Sequence, residues 1–395
     1  TSVLADPPHE YTHLDNRTSG KPPGFDAPYN IVWIVPAISF LTHQRSFPLG
    51  LGLGLIVILG LIAYRRTPVV ARFGVLAGLL PLAHGHSFLA LGLVGAAVLA
   101  VAWREWRVWL RFGAVTAIVA LPLAVYLLAG TRLGEPANPW LTLWWGWMTC
   151  VHQQHWFACD QPALAGTDAS AVVFWIKNFG AVFVAWVVAL LCALRPRRLG
   201  VAPRAPFPVL LPSVLLFAVP NLVRLQPWEF DNNKVLFWWW VFALAAIGRV
   251  IVVLPSRIYR VTLAALVAFI ALPAGVLDVS ARLVRFTAYH YAYVDAAEVT
   301  AAAWMRQQLP PNAALVTGTN PNQFVPLLTG RPVALGYPAW LWSEGINVEQ
   351  RQRAIAALAQ GDAQPACAQG LSYVVADADF AADVPIDNER LAATG

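Results

Sequence analysis

PLGLGLGLIVILGLIAYRR, residues 48–66, decides the fold of this chain. From 48 to 64 no residue is charged, and at about 1.5 Å per residue the run reaches about 26 Å as a helix. That nearly matches a hydrocarbon core of about 30 Å, so the segment reads as a membrane span. Arg65 and Arg66 stop it, and the positive-inside rule places them in the cytosol.

The same punctuation recurs along the chain. Further apolar runs occupy 73–83, 87–103, 112–129, 171–194, 207–223, 235–254 and 261–277, for a total of about eight spans. Arg65/Arg66/Arg72, Arg104/Arg107/Arg111, Arg195/Arg197/Arg198/Arg204 and Arg257/Arg260 fall at every second connection. The alternate connections hold the histidines and most carboxylates. All chemistry is therefore expected on one face, the extracytoplasmic side of a bacterial inner membrane. With Thr1 at the start, the chain reads as continuing upstream through at least one more helix.

Composition agrees with a polytopic bundle. Hydrophobic residues make up 58% of the chain and charged residues 12%, with a mean hydropathy of +0.57, far from a soluble domain. Eighteen Trp suit extensive headgroup interfaces. The net charge of +6 lies beside apolar spans rather than in a surface stripe, so membrane lipids, not nucleic acid, are the expected partners. There is no P-loop, dinucleotide fingerprint, nucleophile elbow or HExxH, so nucleotide-driven transport and serine hydrolysis find no support. No matched broken helices suggest a transporter.

The expected organisation is an extracytoplasmic loop with an interfacial helix over 1–47, a transmembrane helical domain over 48–277, and a small extracytoplasmic α/β domain over 278–395. In that last part, 294–309 reads as a helix stopped by Pro310 and Pro311. Residues 314–317, 332–335 and 371–376 read as short strands, and 348–359 as a second helix.

Four constellations carry possible chemistry. The first loop holds Asp6, His9, Glu10, His13 and Asp15, which fit either a general base with a Mg or Mn site or a solvated polar loop. His84-Gly85-His86 pinches a hairpin between two spans; its imidazoles either donate to a phosphate or sugar or simply close the turn. Arg224, Gln226, Trp228, Glu229, Asp231, Asn232, Asn233 and Lys234 form the densest polar cluster between spans. Arg224 and Lys234 suit a lipid-linked phosphate, Asp231 and Asn232 a sugar, while anchoring and capping are the alternative. The loop with Trp140, Trp144, Trp145 and Trp147 is an interfacial belt or a substrate groove, and Cys150 and Cys159 within it suit a disulfide in an oxidising compartment.

His84-Gly-His86-Ser87-Phe88, the run from Trp228 through Asp231 to Lys234, and Thr329-Gly330-Arg331-Pro332 with Tyr337, Pro338 and Trp340 resemble a bacterial group of GT-C-type membrane proteins. The resemblance covers most of the chain. It implies a polytopic glycosyltransferase using a polyprenyl-phosphate-linked sugar, with a carboxylate of the first outer loop (Asp15, Glu10 or Asp6) as base. His84, His86, Arg224, Glu229, Asp231, Asn232 and Lys234 would then bind substrate. The family's adjacent or once-spaced acidic pair is absent from this loop, which leaves a rival: a non-catalytic subunit or scaffold packed against membrane-protein partners in a respiratory or photosynthetic complex.

Overall fold

A computed structural model describes residues 46–64, 67–101, 103–130, 141–143, 150–152, 161–162, 171–194, 207–226, 229–288, 294–343, 346–386 and 388–393. Asp6, Glu10, Asp15, Cys159, the Trp140–147 belt and the arginines at 65, 66 and 195–204 lie outside the described residues. So does the side chain of Glu229. The described residues fall into two compact units, one within Thr1–Val125 and Pro139–Ala288, the other within Tyr126–Asn138 and Tyr289–Gly395.

The first unit is helical: α1 Ser46–Tyr64, α2 Val70–Ala83, α3 Gly85–Val101, α4 Trp106–Gly130 as far as Val125, α5 Ala171–Leu194, α6 Phe207–Leu222, α7 Asn233–Val252 and α8 Arg257–Ala288. Short antiparallel ladders join β1 (Thr142–Leu143) to β4 (Val223–Arg224) and β2 (Cys150–His152) to β3 (Gln161–Pro162). Cys150 lies in β2 opposite Pro162.

Among the described residues, three stretches are long and apolar enough to cross a membrane: Ser46–Tyr64, Trp103–Val125 and Asn233–Val252. The apolar helices α2, α3 and α6 are 14, 17 and 16 residues long, short of the roughly 20 that a span needs, while α5 and α8, at 24 and 32 residues, carry a break or a proline inside. Gly180, at φ 54° and ψ −135°, breaks α5 in a conformation that other residues resist. A single extended residue, His84, separates α2 from α3. Pro212 and Pro220 interrupt the ladder of α6. Large apolar side chains nonetheless face outward on α4 and α8: Ile118 is 71% exposed and Phe269 77%. Surfaces of this kind suit lipid rather than water.

Helix packing depends on missing side chains. A Cβ at Gly50 would collide with His84, and one at Gly54 would come within 2.6 Å of Trp238 Cη2. On α2 a Cβ at Gly74 would meet the Phe112 carbonyl at 2.8 Å, and one at Gly78 the Val119 Cβ at 2.6 Å. These four-residue glycine spacings let helix backbones approach closely, the usual device where lipid removes the hydrophobic drive to associate. At the centre, α7 packs on α3, α5, α6 and α8. Its fully buried Trp239 meets Phe179, Trp186 and Phe217 at ring distances of 4.4, 5.3 and 5.2 Å.

The second unit contains α9 Ala296–Gln308, β5 Leu315–Val316, α10 Phe324–Thr329, α11 Pro338–Ser343, α12 Glu349–Ala359, α13 Gln364–Cys367, β6 Tyr373–Val374, α14 Ala378–Asp383 and α15 Asn388–Ala393. β5 pairs in parallel with β6, and Leu315 bridges in parallel to Val333. Successive strand residues point to opposite faces. Leu315 accordingly packs with Ala302, Met305 and Phe324, and Val316 with Ile355, Leu358 and Phe380. Asp295 and Glu298 form a capping box that starts α9. Gly330, at φ 68°, ends α10. Arg331, 4% exposed, donates to the carbonyls of Pro310 and Leu309 just beyond α9. The Thr329–Pro332 motif of the sequence is thus a helix stop and a tie between two segments.

Candidate functional site

The site is built from the α2–α3 corner and the connection between α6 and α7. His84 terminates α2 and opens α3. Its backbone N–H donates to Leu80 O at 2.7 Å, while the Ser87 backbone N–H donates to its Nδ1 at 3.1 Å. A backbone N–H can only donate, so Nδ1 is an acceptor and the ring proton resides on Nε2. Ser87 Oγ lies 2.9 Å from the same Nδ1 and accepts the Trp238 indole N–H at 3.1 Å, although Ser87 and Trp238 are 151 residues apart. Phe47 meets the His84 ring edge-on at 5.0 Å. The corner is therefore fixed by α1, α3 and α7 together, and the Nε2–H of His84 has no hydrogen-bond acceptor among the described residues.

Across from it, Asn232 holds the α6–α7 connection closed. Its Nδ2 donates to Pro220 O at 2.9 Å and Val223 O at 2.8 Å, and its Oδ1 accepts from the Leu225 N–H at 3.2 Å. Asn232 is 1% exposed, so its amide supports the loop rather than facing a ligand. Lys234, on the first turn of α7, donates to Asp231 Oδ2 at 2.7 Å, with both side chains partly exposed. Gln226 bridges: it accepts from His86 and donates to Asp231. A continuous chain thus runs His86–Gln226–Asp231–Lys234, beside His84, whose ring centroid is 5.3 Å from that of His86.

Electrostatics sets the charge states. Burial, reinforced by His86 and Lys234 and opposed by Asp231, drives the His84 pKa from 6.5 down to about 3, so this imidazole is a neutral donor. For Asp231, burial alone would raise the pKa, but the Lys234 ammonium and the donors from Lys234 and Gln226 outweigh it and hold the carboxyl below its usual range. The cluster is an ion pair flanked by uncharged imidazoles. It can donate to an oxyanion through His84 and Lys234 and accept from hydroxyls through Asp231.

Of the residues singled out in the sequence, the structure brings His84, His86, Asp231 and Lys234 together. Arg224 stands in β4 opposite Thr142 and is not among the groups acting on His84, His86 or Asp231. Gln226, Ser87 and Trp238 join the site without having been assigned roles. Gln226 falls inside the polar run already noted and Ser87 inside the His-Gly-His-Ser motif, but nothing local signals Trp238 within its tryptophan-rich helix. No group of three His, Cys, Asp or Glu is placed to hold a metal ion among the described residues. No family model matches this chain, and no curated protein or solved structure matches it.

Proposed function

We infer that this chain is an integral membrane glycosyltransferase-like protein of the GT-C type, moving a sugar from a polyprenyl-phosphate donor at the extracytoplasmic face of a bacterial inner membrane. The observation that carries this reading is the meeting of a neutral His84 donor, His86 and the Lys234–Asp231 ion pair at helix ends of an apolar bundle. About eight spans, cytosolic arginine turns and an outer α/β domain over 278–395 belong to the same reading.

In the transfer, the bond between the sugar anomeric carbon and the phosphate oxygen breaks, and a new bond forms to an acceptor hydroxyl. The phosphate leaves with the electron pair, still attached to its lipid. Lys234 and the His84 Nε2–H stabilise that developing charge, the term that usually dominates such catalysis. The acceptor proton passes to a carboxylate of the first loop, Asp15 or Glu10, with Asp6 the third choice. Asp231 orients Lys234 and accepts from a sugar hydroxyl; His86, Arg224 and Glu229 complete the proposed binding set. Asn232 serves as the loop clasp. The commitment of Asn232 to main-chain carbonyls and the missing acidic pair favour a second reading, a non-catalytic scaffold in a larger complex.

The test is transfer from a panel of polyprenyl-phosphate sugars by protein reconstituted in liposomes. Lys234→Met is expected to lower the rate about 10²–10³-fold, the usual cost of removing one charge-stabilising donor, and either Asp15→Asn or Glu10→Gln to abolish transfer. Unaltered rates in both of these variants and in Asp6→Asn would end this mechanism. A wild type that transfers nothing but co-purifies with a defined membrane complex would establish the scaffold instead.

A further inference from the structure

We propose a second site at the opposite, arginine-bearing end of the first unit. It takes one anionic phospholipid, with an acyl chain in a groove between α3 and α4 and the phosphate on Arg104 and Arg107. The groove has a volume of about 480 Å³ and is lined by Leu91, Gly92, Gly95, Leu99 and Gly113, among others. A Cβ at Gly92, Gly95 or Gly113 would meet nothing within 4 Å, so these glycines leave open space and not helix contact. That distinguishes them from Gly74 and Gly78, which are filled by the neighbouring helix.

Directly beside the groove is a polar hollow of about 390 Å³ lined by Arg104, Glu105, Trp106, Arg107 and Val108. Trp106 borders both. The two guanidinium groups lie over indole rings, Arg104 at 5.8 Å from Trp103 and Arg107 at 5.6 Å from Trp106. Stacking of this kind orients the planar fork while leaving its edge donors for an oxyanion. Even with Glu105 present the hollow carries a net positive charge, which selects an anionic headgroup over a zwitterionic one.

A third observation comes from within the groove. Trp109 lines it, is 7% exposed, and its indole N–H has no hydrogen-bond partner among the described residues. Buried donors are almost always satisfied. The ester carbonyl of a glycerolipid, lying between phosphate and acyl chain, is an acceptor of the right kind between the arginine hollow and the apolar groove. One diacyl anionic lipid thus accounts for the open glycines, the unpaired indole and the stacked guanidiniums at once.

The full chain, purified in neutral detergent, is titrated with dioleoyl-phosphatidylglycerol, dioleoyl-phosphatidylcholine or inorganic phosphate, and bound lipid is read by native mass spectrometry. The wild type is expected to retain the glycerol lipid in preference to the choline lipid. Arg104→Gln with Arg107→Gln should weaken that binding about 30-fold, from the usual attraction of each basic residue for an anionic surface. Gly95→Leu with Gly113→Leu should displace the lipid with the arginines intact. As a measure independent of these variants, a lipid brominated near the top of its acyl chain should quench wild-type fluorescence more than that of Trp109→Phe. Equal retention of the two lipids, binding unchanged in the arginine variant, or inorganic phosphate displacing the lipid would each overturn the proposal.

Discussion

His84 does two things at once: its Nδ1 caps α3, and burial keeps its ring uncharged. In an unfolded chain the same imidazole protonates below about 6.5, whereas in the folded protein it stays neutral down to about 3. Protons therefore favour the unfolded state throughout that window, and stability is lost as pH falls from 6.5 toward 3. Ionised Asp231, with a depressed pKa, adds to the loss only below its ordinary range. Melting temperature in detergent, followed against pH, is expected to decline through this window. It should decline less steeply in His84→Asn, which keeps a capping oxygen but cannot titrate. Asn232 makes a separate prediction. Asn232→Asp has the same shape yet cannot donate to Pro220 O and Val223 O, so it should cost about 1–3 kcal/mol of stability. An unchanged melting temperature with lost activity would return Asn232 to a ligand-binding role.

At the scale of elements, the sequence located helices better than it judged how they meet. The run 171–194 coincides with α5, and 48–64 and 87–103 fall within two residues of α1 and α3 at either end. α4 begins at Trp106, six residues before the expected start, because Arg107 and Arg111 continue the helix as surface residues instead of ending it. α8 likewise runs on past Asp278 and Arg282 to Ala288. In the second unit, strands expected at 314–317 and 371–376 pair as β5 and β6. What local periodicity cannot carry is close approach between helices. Gly50 and Gly52 look alike in sequence, yet a Cβ at Gly50 strikes His84 and one at Gly52 meets nothing. Gly50→Ala and Gly54→Ala should each cost about 1–3 kcal/mol through overpacking. Gly52→Ala should be neutral or stabilising by up to about 1 kcal/mol. Thermal unfolding of the three variants in detergent separates these outcomes, and equal effects at all three positions would contradict the packing described.

At the scale of the whole molecule, the proposed function requires sidedness. Among the described residues, His84, His86 and Asp231 stand at one end of α2, α3 and α7, and Arg72, Arg104 and Arg257 at or just beyond the other end of these helices, a division legible from charge alone. The bridge through Gln226 and the indole of Trp238 was not legible, because it joins segments far apart in the chain. The most direct test is cysteine accessibility in oriented membrane vesicles, with the four native cysteines replaced. Gly85→Cys adds a side chain into open space beside both histidines, and Arg257→Cys marks the start of α8. A membrane-impermeant maleimide is expected to reach residue 85 only from the extracytoplasmic side and residue 257 only from the cytosol. Labelling of both positions from one side, or of residue 85 from the cytosol, would contradict the account.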